Sequence, residues 1–556
     1  MAVYLYNTDI LALLYYSDSV SHLVRARQLV DSSSPGIQQI GTVWLPLPHI
    51  ILLPFSLVDV LMRTGFAGTA VSLPSIAISA AILYKIIRAE TKSSWIAYLG
   101  ACLYFSNPNI LYLGLTAMTE ALFMLFFVIS AFYFQKCSSP YSPSSQNLGQ
   151  VAFSSNNQFN LTPVIKRRVI ILMPLLKCSL FVVLATLCRY EAWPIPIFLI
   201  LFGFTHLAKR KTREWKETLT FPVARMQPMS SIVLCTLLSL SGVILWISYN
   251  SIYFGNPLEF LVAPYYSAAS QAIEGKNRES LFMQPMNVAY IYGITAMTFF
   301  GPAMTAGAIL GYAIHKKSAQ MEDVLRRDLL YLFLAIPFII TFSALLFGLG
   351  EMNRWWFNSR FLILLTPLLI LLLSVLVGKL VYTPRGIKTK LAYLITAIFL
   401  IYPIIIVPIY GEIVTFIDAK NSASYETRQP AMQMAKFLEE LYDGGKILIV
   451  AGSAQQNIIM HASGIPLANY ETAIEGSNMQ YDVVHRPALD IKYVVLSKNP
   501  DASSQMYAES WTKGQNDLKG LFVKIYENSH YLIFERSGAL GSLNKPVNHL
   551  PLLPGN

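Results

Sequence analysis

The sequence is poor in charged residues and in cysteine, and both shortages narrow what the protein can be. Only 13% of its 556 residues are charged, whereas a soluble globular protein has about 25%. The five cysteines lie in or beside apolar stretches without a CxxC pair or a metal-binding spacing, so we expect neither a disulfide framework nor a zinc site. Residues 1–17 lack the basic start and the A-x-A site of a cleavable signal peptide.

Long apolar runs take the place of the missing charge. Hydrophobic residues make up 54% of the chain, and the mean hydropathy is +0.47. About ten runs, most of them near 20 residues long, recur between residues 46 and 410, which predicts a polytopic α-helical membrane protein with about 10–11 transmembrane helices. The candidate spans are about 48–87, 94–107, 116–135, 169–187, 191–207, 230–249, 288–314, 329–348, 361–381 and 391–410.

Basic residues alternate between the loops that join these spans. The loops over residues 85–92, 136–168, 209–225, 315–327 and 379–390 hold 21 lysines and arginines, and the remaining loops hold 7. The basic loops should be cytoplasmic. The net charge of +11 is therefore a topology signal, and we expect no nucleic-acid partner.

The C-terminal part of the chain differs in kind from the membrane part. We expect a transmembrane domain over residues 1–410, with outer loops at 18–45 and 250–287, and a soluble extracytoplasmic α/β domain over residues 411–556. Strand and helix patterns alternate there, as in small α/β domains. An amphipathic helix is predicted over 431–441, and strands are predicted over 446–450, 491–496, 521–526 and 531–535. No GxGxxG follows the turn at residues 451–453, so it is no dinucleotide fingerprint.

With this topology, nearly every conspicuous polar residue falls on the outer side. Asp18, His22 and Arg25 lie at helical spacing in the first outer loop, on one face. A carboxylate there can act as a general base beside an acceptor hydroxyl. The alternative is a solvated helix with a local charge pair.

Two further outer segments combine polar groups with rigid or aromatic ones. In Gly41–His49, two prolines keep the chain extended, and Trp44 and His49 then reach the membrane boundary, where Trp is common in any membrane protein. Glu120 begins one span, and Arg189, Tyr190 and Glu191 form a hairpin between two others. An arginine at the hydrocarbon edge needs an anion, either a protein carboxylate or a lipid phosphate.

The segment 351–360 gathers charge, amides and aromatic rings at one end of a late span. Its polar and aromatic members include Glu351, Arg354, Trp356, Asn358 and Arg360. Aromatic faces can bind sugar rings, and arginines can bind phosphate in a bidentate manner. The alternative is an interfacial aromatic belt with snorkelling arginines.

Taken together, these motifs resemble the GT-C superfamily of polytopic glycosyltransferases. They are most similar to the bacterial and archaeal relatives of dolichyl-phosphate-mannose protein mannosyltransferases and of lipid A aminoarabinose transferases. The resemblance covers most of the membrane part and is most specific at Asp18 and at Trp44–His49. Its segments are residues 15–62, 116–124, 188–194, 249–260 and 355–367.

The resemblance implies an inverting transfer of a sugar from a polyprenyl-phosphate donor to a hydroxyl at the outer face. Asp18 would be the general base, and Arg360, Arg189 and Arg354 would hold the donor phosphate. The remaining candidates would bind substrate: His22, Trp44, His49, Glu120, Tyr190, Glu191, Trp356 and Asn358. No DxD motif occurs in the outer loops, so no cofactor or obligatory metal is expected, although a divalent metal stays possible.

Several alternatives remain open on the sequence alone. The chain could be a transporter or flippase of lipid-linked saccharides, a ligase or polymerase that uses such donors, or an assembly scaffold. Ser19 follows Asp18 in this sequence, whereas many members of the GT-C superfamily carry a glutamate directly after this aspartate. The acceptor could be a lipid, a protein or a glycan. The membrane would be the plasma membrane, or the endoplasmic reticulum membrane in a eukaryote.

Overall fold

The computed structural model divides the chain into two compact units. The membrane unit comprises Met1–Arg27 and Ile40–Tyr425, and the sheet unit comprises Gln28–Gln39 and Glu426–Asn556. The structure describes residues 1–138, 162–203, 227–262, 281–318, 321–350, 352, 358–381, 413–422, 425–450, 453–472, 490–498 and 521–537.

The membrane unit is helical throughout the part that is described. Its α-helices are Ala2–Thr8, Ser17–Gln28, Pro46–Ser56, Asp59–Thr64, Phe66–Thr91, Ser94–Ser106, Pro108–Leu113, Thr119–Ser138, Thr162–Thr186, Gln227–Phe254, Glu259–Val262, Pro285–Phe300, Pro302–Ser318, Met321–Leu346, Thr366–Val381 and Val414–Ser422. A 3₁₀-helix covers Ser359–Leu365, and another at Tyr190–Ala192 leads into the apolar helix Tyr190–Gly203.

Five helices in the described residues are long and apolar enough to cross a membrane, which confirms the expected class of fold. A sixth span is possible if the helices Pro285–Phe300 and Pro302–Ile314, bent by 110° at their junction, count as one. The predicted span at 391–410 lies outside the described residues, and the total of 10–11 stays a prediction. Residues 48–87, expected to hold one membrane helix with an approach segment, lie on the helices Pro46–Ser56, Asp59–Thr64 and Phe66–Thr91. The helical run breaks at residues 57–58 and again at Gly65, whose φ of +80° ends one helix and begins the next.

In its described residues, the sheet unit contains five strands in the order β2-β1-β3-β5-β4. They are β1 (Lys446–Val450), β2 (Tyr470–Thr472), β3 (Ile491–Ser497), β4 (Phe522–Glu527) and β5 (Tyr531–Arg536). β1 pairs in parallel with β2 and β3, and β5 pairs antiparallel with β3 and β4. The four predicted strands are confirmed, the last two of them pair as a hairpin, and the short β2 is an addition.

In the sequence, the helix Tyr425–Leu441 precedes β1, and the helix Ser453–Ala462 follows it. The core of the sheet contains Leu448, Val494, Leu496 and Leu532, all almost fully buried. The segment Gln28–Gln39 also belongs to the sheet unit, although it comes from the first predicted loop. It is joined to the unit by hydrogen bonds from Ser33 Oγ to Glu471 Oε2 at 2.9 Å and from the Ala468 N–H to Asp31 Oδ1 at 3.2 Å.

Candidate active site

Arg360 lies at the centre of a buried cluster of charged side chains in the membrane unit. Its Nη2 is 2.7 Å from Asp18 Oδ2, and its Nε is 3.2 Å from Glu120 Oε1. The guanidinium is largely shielded from solvent, with 9% of the side chain exposed. The structure therefore joins three residues that the sequence placed in separate loops.

A second arginine reaches the same carboxylate from the hairpin between two apolar helices. Arg189 Nη1 lies 3.0 Å from Glu120 Oε1 and donates to Thr119 Oγ1 at 2.9 Å. Its Nη2 donates to Glu191 Oε1 at 2.7 Å. Because a buried charge is costly unless it is paired, the two arginines and the carboxylates around them stabilise one another only as a group. We call Asp18, Glu120, Arg189, Glu191 and Arg360 the double-arginine cluster.

An aromatic ring separates the two guanidinium groups. The centroid of Phe361 is 5.1 Å from Arg189 Cζ and 5.3 Å from Arg360 Cζ. Arg360 also lies 5.0 Å from the ring centroid of Tyr16. Ring faces attract guanidinium groups and partly offset their loss of hydration. Two arginines held in this way and directed at one carboxylate form a site that suits a bidentate anion such as a phosphate.

Glu120 is the most tightly enclosed member of the cluster. Its side chain has no exposed surface, and neither of its oxygens forms a well-aligned hydrogen bond within the described part of the chain. Buried carboxylates are normally hydrogen-bonded, and exceptions are found where function requires strain or an exchange of partners. The cluster also holds three carboxylates for two arginines. We therefore interpret it as a functional group of charges.

Asp18 differs from Glu120 in its access to solvent. It lies in the first turn of the helix Ser17–Gln28, and 34% of its side chain is exposed. The helix is held in place through Ser19 Oγ, which accepts a hydrogen bond from the Ala117 N–H at 2.9 Å. An exposed carboxylate beside an arginine can accept a proton from an incoming hydroxyl.

The structure brings His22, Trp44 and His49 into one aromatic group. The His22 and Trp44 ring centroids are 4.5 Å apart, and His22 Nδ1 is 3.0 Å from His49 Nε2. His49 Nδ1 lies 3.1 Å from the Leu45 carbonyl oxygen, which can only accept. His49 Nδ1 therefore carries the proton, and His22 Nδ1 donates to His49.

His22 is a neutral side chain at physiological pH. Burial lowers its pKa to about 3, and the nearby positive charges of Arg189, Arg360 and Arg25 lower it further. The group can therefore donate or accept hydrogen bonds and present ring faces, which are the interactions that sugar binding requires.

The hydroxyl of Tyr190 is used within the protein. It donates to the Val43 carbonyl at 2.6 Å and accepts from Trp246 Nε1 at 3.1 Å. These bonds connect the Arg189 hairpin to the segment that contains Trp44. Substrate binding by Tyr190 stays a prediction, as it does for the other candidates.

Arg354 and Trp356, together with Glu351, lie outside the described residues. Asn358 is described and has a left-handed backbone, with φ of +59°. Its N–H donates to Asp418 Oδ1 at 2.8 Å, and the Arg360 N–H donates to Asp418 Oδ2 at 3.1 Å.

Asp418 is the residue of this site that the sequence analysis did not single out. It is fully buried on the helix Val414–Ser422, and burial raises the pKa of its carboxyl to about 6, against the opposing effects of Arg360 and of its own hydrogen bonds. Asp418 follows the last apolar run by eight residues and is flanked by Thr415, Lys420 and Asn421, so its local sequence does not mark it.

The described residues hold no group of three or more His, Cys, Asp or Glu side chains arranged to bind a metal. The carboxylates of the double-arginine cluster are paired with arginines. The expectation that catalysis needs no obligatory metal stays a prediction.

The structure is similar to solved structures, whereas the sequence matches no known family. No protein-family model and no curated protein matches the sequence. The structure of ArnT from Cupriavidus metallidurans bound to undecaprenyl phosphate is similar over 96% of both chains, with a TM-score of 0.53 and 9% identity. The apo state of the same enzyme is similar over 93% of both chains, with a TM-score of 0.50 and 9% identity.

A third structure is that of the Archaeoglobus fulgidus oligosaccharyltransferase AglB in complex with an inhibitory peptide and a dolichol-phosphate. The similarity covers 96% of this chain and 71% of the AglB chain, with a TM-score of 0.45 and 11% identity. The likeness shows that this chain shares the fold of the ArnT structure over nearly its whole length.

Proposed function

We propose that this protein is an integral membrane glycosyltransferase that uses a polyprenyl-phosphate-linked sugar as donor. The observation that carries the proposal is the convergence of Arg189 and Arg360 on one buried carboxylate, beside a solvent-accessible Asp18. The GT-C fold supports it, because the similar ArnT structure contains undecaprenyl phosphate.

In this proposal the two arginines bind the donor phosphate. Without donor they are paired with carboxylates, so the phosphate would replace part of this pairing as it enters. As the bond between the anomeric carbon and the phosphate oxygen breaks, its electron pair stays on that oxygen. The guanidinium groups stabilise the charge that develops there.

Asp18 would accept the proton of the acceptor hydroxyl while the hydroxyl oxygen forms a bond to the anomeric carbon. Attack on the face opposite the leaving phosphate inverts the configuration. General base catalysis of this kind contributes about 10²–10⁴ in rate. The neutral group of His22, Trp44 and His49 would supply hydrogen bonds and a ring face to the sugar.

The proposal extends to the sugar, the acceptor and the membrane face at which transfer would occur. The donor would carry a hexose or a pentose, mannose among them, and the acceptor would be a lipid, a protein or a glycan. Transfer would occur at the outer face of the plasma membrane, or at the lumenal face of the endoplasmic reticulum membrane in a eukaryote.

The test is turnover of a panel of radiolabelled polyprenyl-phosphate monosaccharides by the purified protein in detergent. We expect the wild type to release sugar from one donor to water or to an added acceptor. Asp18→Asn should lower this rate by about 10²–10⁴ without loss of folding, since the amide cannot act as a base. Asp59→Asn is a matched control, because Asp59 is an exposed aspartate paired with Arg27 outside the cluster. Full activity in Asp18→Asn would exclude Asp18 as the base.

A second candidate is a transporter of lipid-linked saccharides. It is favoured by the 110° break between the helices Pro285–Phe300 and Pro302–Ile314, since broken helices line many transporter sites. Movement of a labelled lipid-linked saccharide across proteoliposomes, with no transfer to any acceptor, would support this function in place of the first.

A further inference from the structure

Asp418 is hydrogen-bonded to the backbone turn of Arg360 and to Tyr16, which precedes Asp18 by two residues. Its Oδ1 accepts from the Asn358 N–H at 2.8 Å, and its Oδ2 accepts from the Arg360 N–H and from Tyr16 Oη, both at 3.1 Å. The carboxylate has no exposed surface. All three bonds bridge long stretches of sequence, so Asp418 joins regions that the chain itself leaves far apart.

The first region is the turn that directs Arg360. Asn358 has a left-handed backbone, which asparagine adopts more readily than other residues except glycine but which is still uncommon. Asp418 supports this conformation, and it accepts from the N–H groups at the start of the 3₁₀-helix Ser359–Leu365 as a capping side chain does. With the turn fixed, the Arg360 side chain lies between Asp18 and Glu120.

The second region is the start of the helix that carries Asp18. Tyr16 precedes Asp18 by two residues, and its carbonyl accepts from the Ser19 N–H at 3.0 Å, so its position sets where this helix begins. Tyr16 Oη donates to Asp418 and to the Thr415 carbonyl, and the Tyr16 ring packs against the Arg360 guanidinium.

The helix that carries Asp418 is anchored elsewhere. The Thr415 N–H donates to Asn109 Oδ1 at 3.0 Å, and Asn109 Nδ2 donates to the Phe299 carbonyl at 3.2 Å. These contacts involve neither Asp18 nor Arg360. Asp418 therefore has a fixed position from which it can locate both.

We infer that Asp418 is a positioning residue that sets the relative placement of the general base Asp18 and the phosphate-binding Arg360. This inference rests on the proposed function. Asp418 acts through the Asn358–Arg360 turn and through Tyr16, and it takes no part in the bonds that form or break.

Two kinds of damage are expected when Asp418 is changed. A loosened Arg360 turn should weaken binding of the donor phosphate. A displaced Asp18 helix should lower kcat at saturating donor. Tyr16→Phe removes the hydroxyl that contacts Asp418 and the Thr415 carbonyl, and it leaves the bonds from Asp418 to the Arg360 turn, so it should lower kcat with little change in phosphate affinity.

The experiment measures binding of undecaprenyl phosphate to the purified full chain by intrinsic tryptophan fluorescence, and kcat and KM with the productive donor. Asp418→Asn, which keeps one oxygen acceptor, should bind about tenfold more weakly than wild type, and Asp418→Ala about a hundredfold more weakly. Tyr16→Phe should lower kcat about tenfold at nearly unchanged affinity. Glu90→Gln is the control, since it changes a buried carboxylate of the same unit outside the cluster.

The outcomes separate this inference from the proposed function. If wild type binds undecaprenyl phosphate and Asp418→Ala binds it equally well with unchanged kcat, the positioning role is wrong. It is also wrong if the Asp418 variants lose affinity and kcat only as far as Glu90→Gln does at equal loss of thermal stability. Absence of binding by wild type would overturn the proposed function and this inference with it.

Discussion

The described part of the membrane unit contains two buried groups of charges whose central carboxylates differ in how far they are hydrogen-bonded. In one, a single carboxylate is surrounded by donors: Glu90 Oε1 accepts from Gln135 at 2.7 Å, and Oε2 lies 3.0 Å from Arg327 and 3.3 Å from Arg326. We call these four residues the Glu90 cluster. In the double-arginine cluster, three carboxylates surround two arginines, and Glu120 has no well-aligned hydrogen bond in the described structure.

The difference distinguishes a group that stabilises a fold from one that can exchange partners. Donors in excess around one carboxylate leave it nothing to gain from a new partner. Under the proposed function, an incoming phosphate would replace one of the carboxylates around the two arginines, and Asp18 is open to solvent. The charge ratio and the exposure of one member therefore indicate function better than burial alone does.

The largest expected effect comes from Glu90→Ala. Removal of the shared carboxylate leaves two arginines without their common partner, and we expect a loss of about 3–4 kcal/mol in the free energy of unfolding. Thermal unfolding in detergent would show the loss as a lower Tm. Undecaprenyl phosphate should bind the surviving folded protein with unchanged affinity. A large drop in that affinity would mean that the Glu90 cluster is not merely structural.

Asp418, which lies beside the double-arginine cluster, should change the free energy of unfolding by about 3 kcal/mol as the pH changes. Burial raises its pKa from 3.8 to about 6, so the folded state holds a proton that the unfolded state releases between these values. Its contribution to stability is therefore full below about pH 4 and falls as the pH rises to about 6. Carboxylates with lowered pKa values, such as Glu527, have the opposite dependence.

The measurement is the difference in Tm between wild type and Asp418→Asn over pH 4–7. This difference removes the contributions that the two proteins share. We expect the wild type to lose stability relative to the variant as the pH rises. A flat difference would show that Asp418 titrates at an ordinary pKa.

An effect of about 2 kcal/mol is expected when corresponding arginines of the two clusters are compared. Arg360→Gln should weaken binding of undecaprenyl phosphate about thirtyfold, the usual value of a charged hydrogen bond. Arg326→Gln should leave this affinity unchanged, because Arg326 belongs to the Glu90 cluster. Titration of both purified variants measures the two affinities. Equal losses in both would remove the functional distinction between the clusters.

The smallest effect, about 1 kcal/mol, is expected at two helical glycines. A Cβ added at Gly68 would overlap the backbone of Ala117, two residues before Thr119 and three before Glu120, whereas one added at Gly293 would meet no atom within 4 Å. Gly68→Ala should therefore lower both Tm and phosphate affinity. Gly293→Ala should be neutral or slightly stabilising. Equal behaviour of the two variants would contradict the close packing at Glu120.

Much of the architecture could be predicted from the sequence because its signals are local. Apolar runs and strand patterns each lie within a short window, and the helical membrane part and the small sheet are confirmed. The sequence predicted only that four residues of the site lie on the same side of the membrane: Asp18, Glu120, Arg189 and Arg360. The ion pairs themselves depend on contacts between distant helices, which no window contains.

Asp418 shows what such reasoning misses. Asp418 lies on an ordinary short helix, Val414–Ser422. The hydrogen-bond partners of its carboxylate are distant in sequence: Tyr16, Asn358 and Arg360. The pairing of His22 with His49 was equally hidden, since the two rings belong to different motifs. Nonlocal hydrogen bonds of this kind become visible only in three dimensions.

The segment Gln28–Gln39 has a consequence for how the protein is made. It belongs to the sheet unit, yet ribosomes synthesise it long before β1, and its bond from Ser33 to Glu471 spans 438 residues. The segment therefore has to wait until residues 446–472 have been translated before it can form these contacts, and contacts of such long range form slowly. A fragment that begins at residue 426 should be recovered in lower yield than the same fragment supplied with a peptide of residues 28–39.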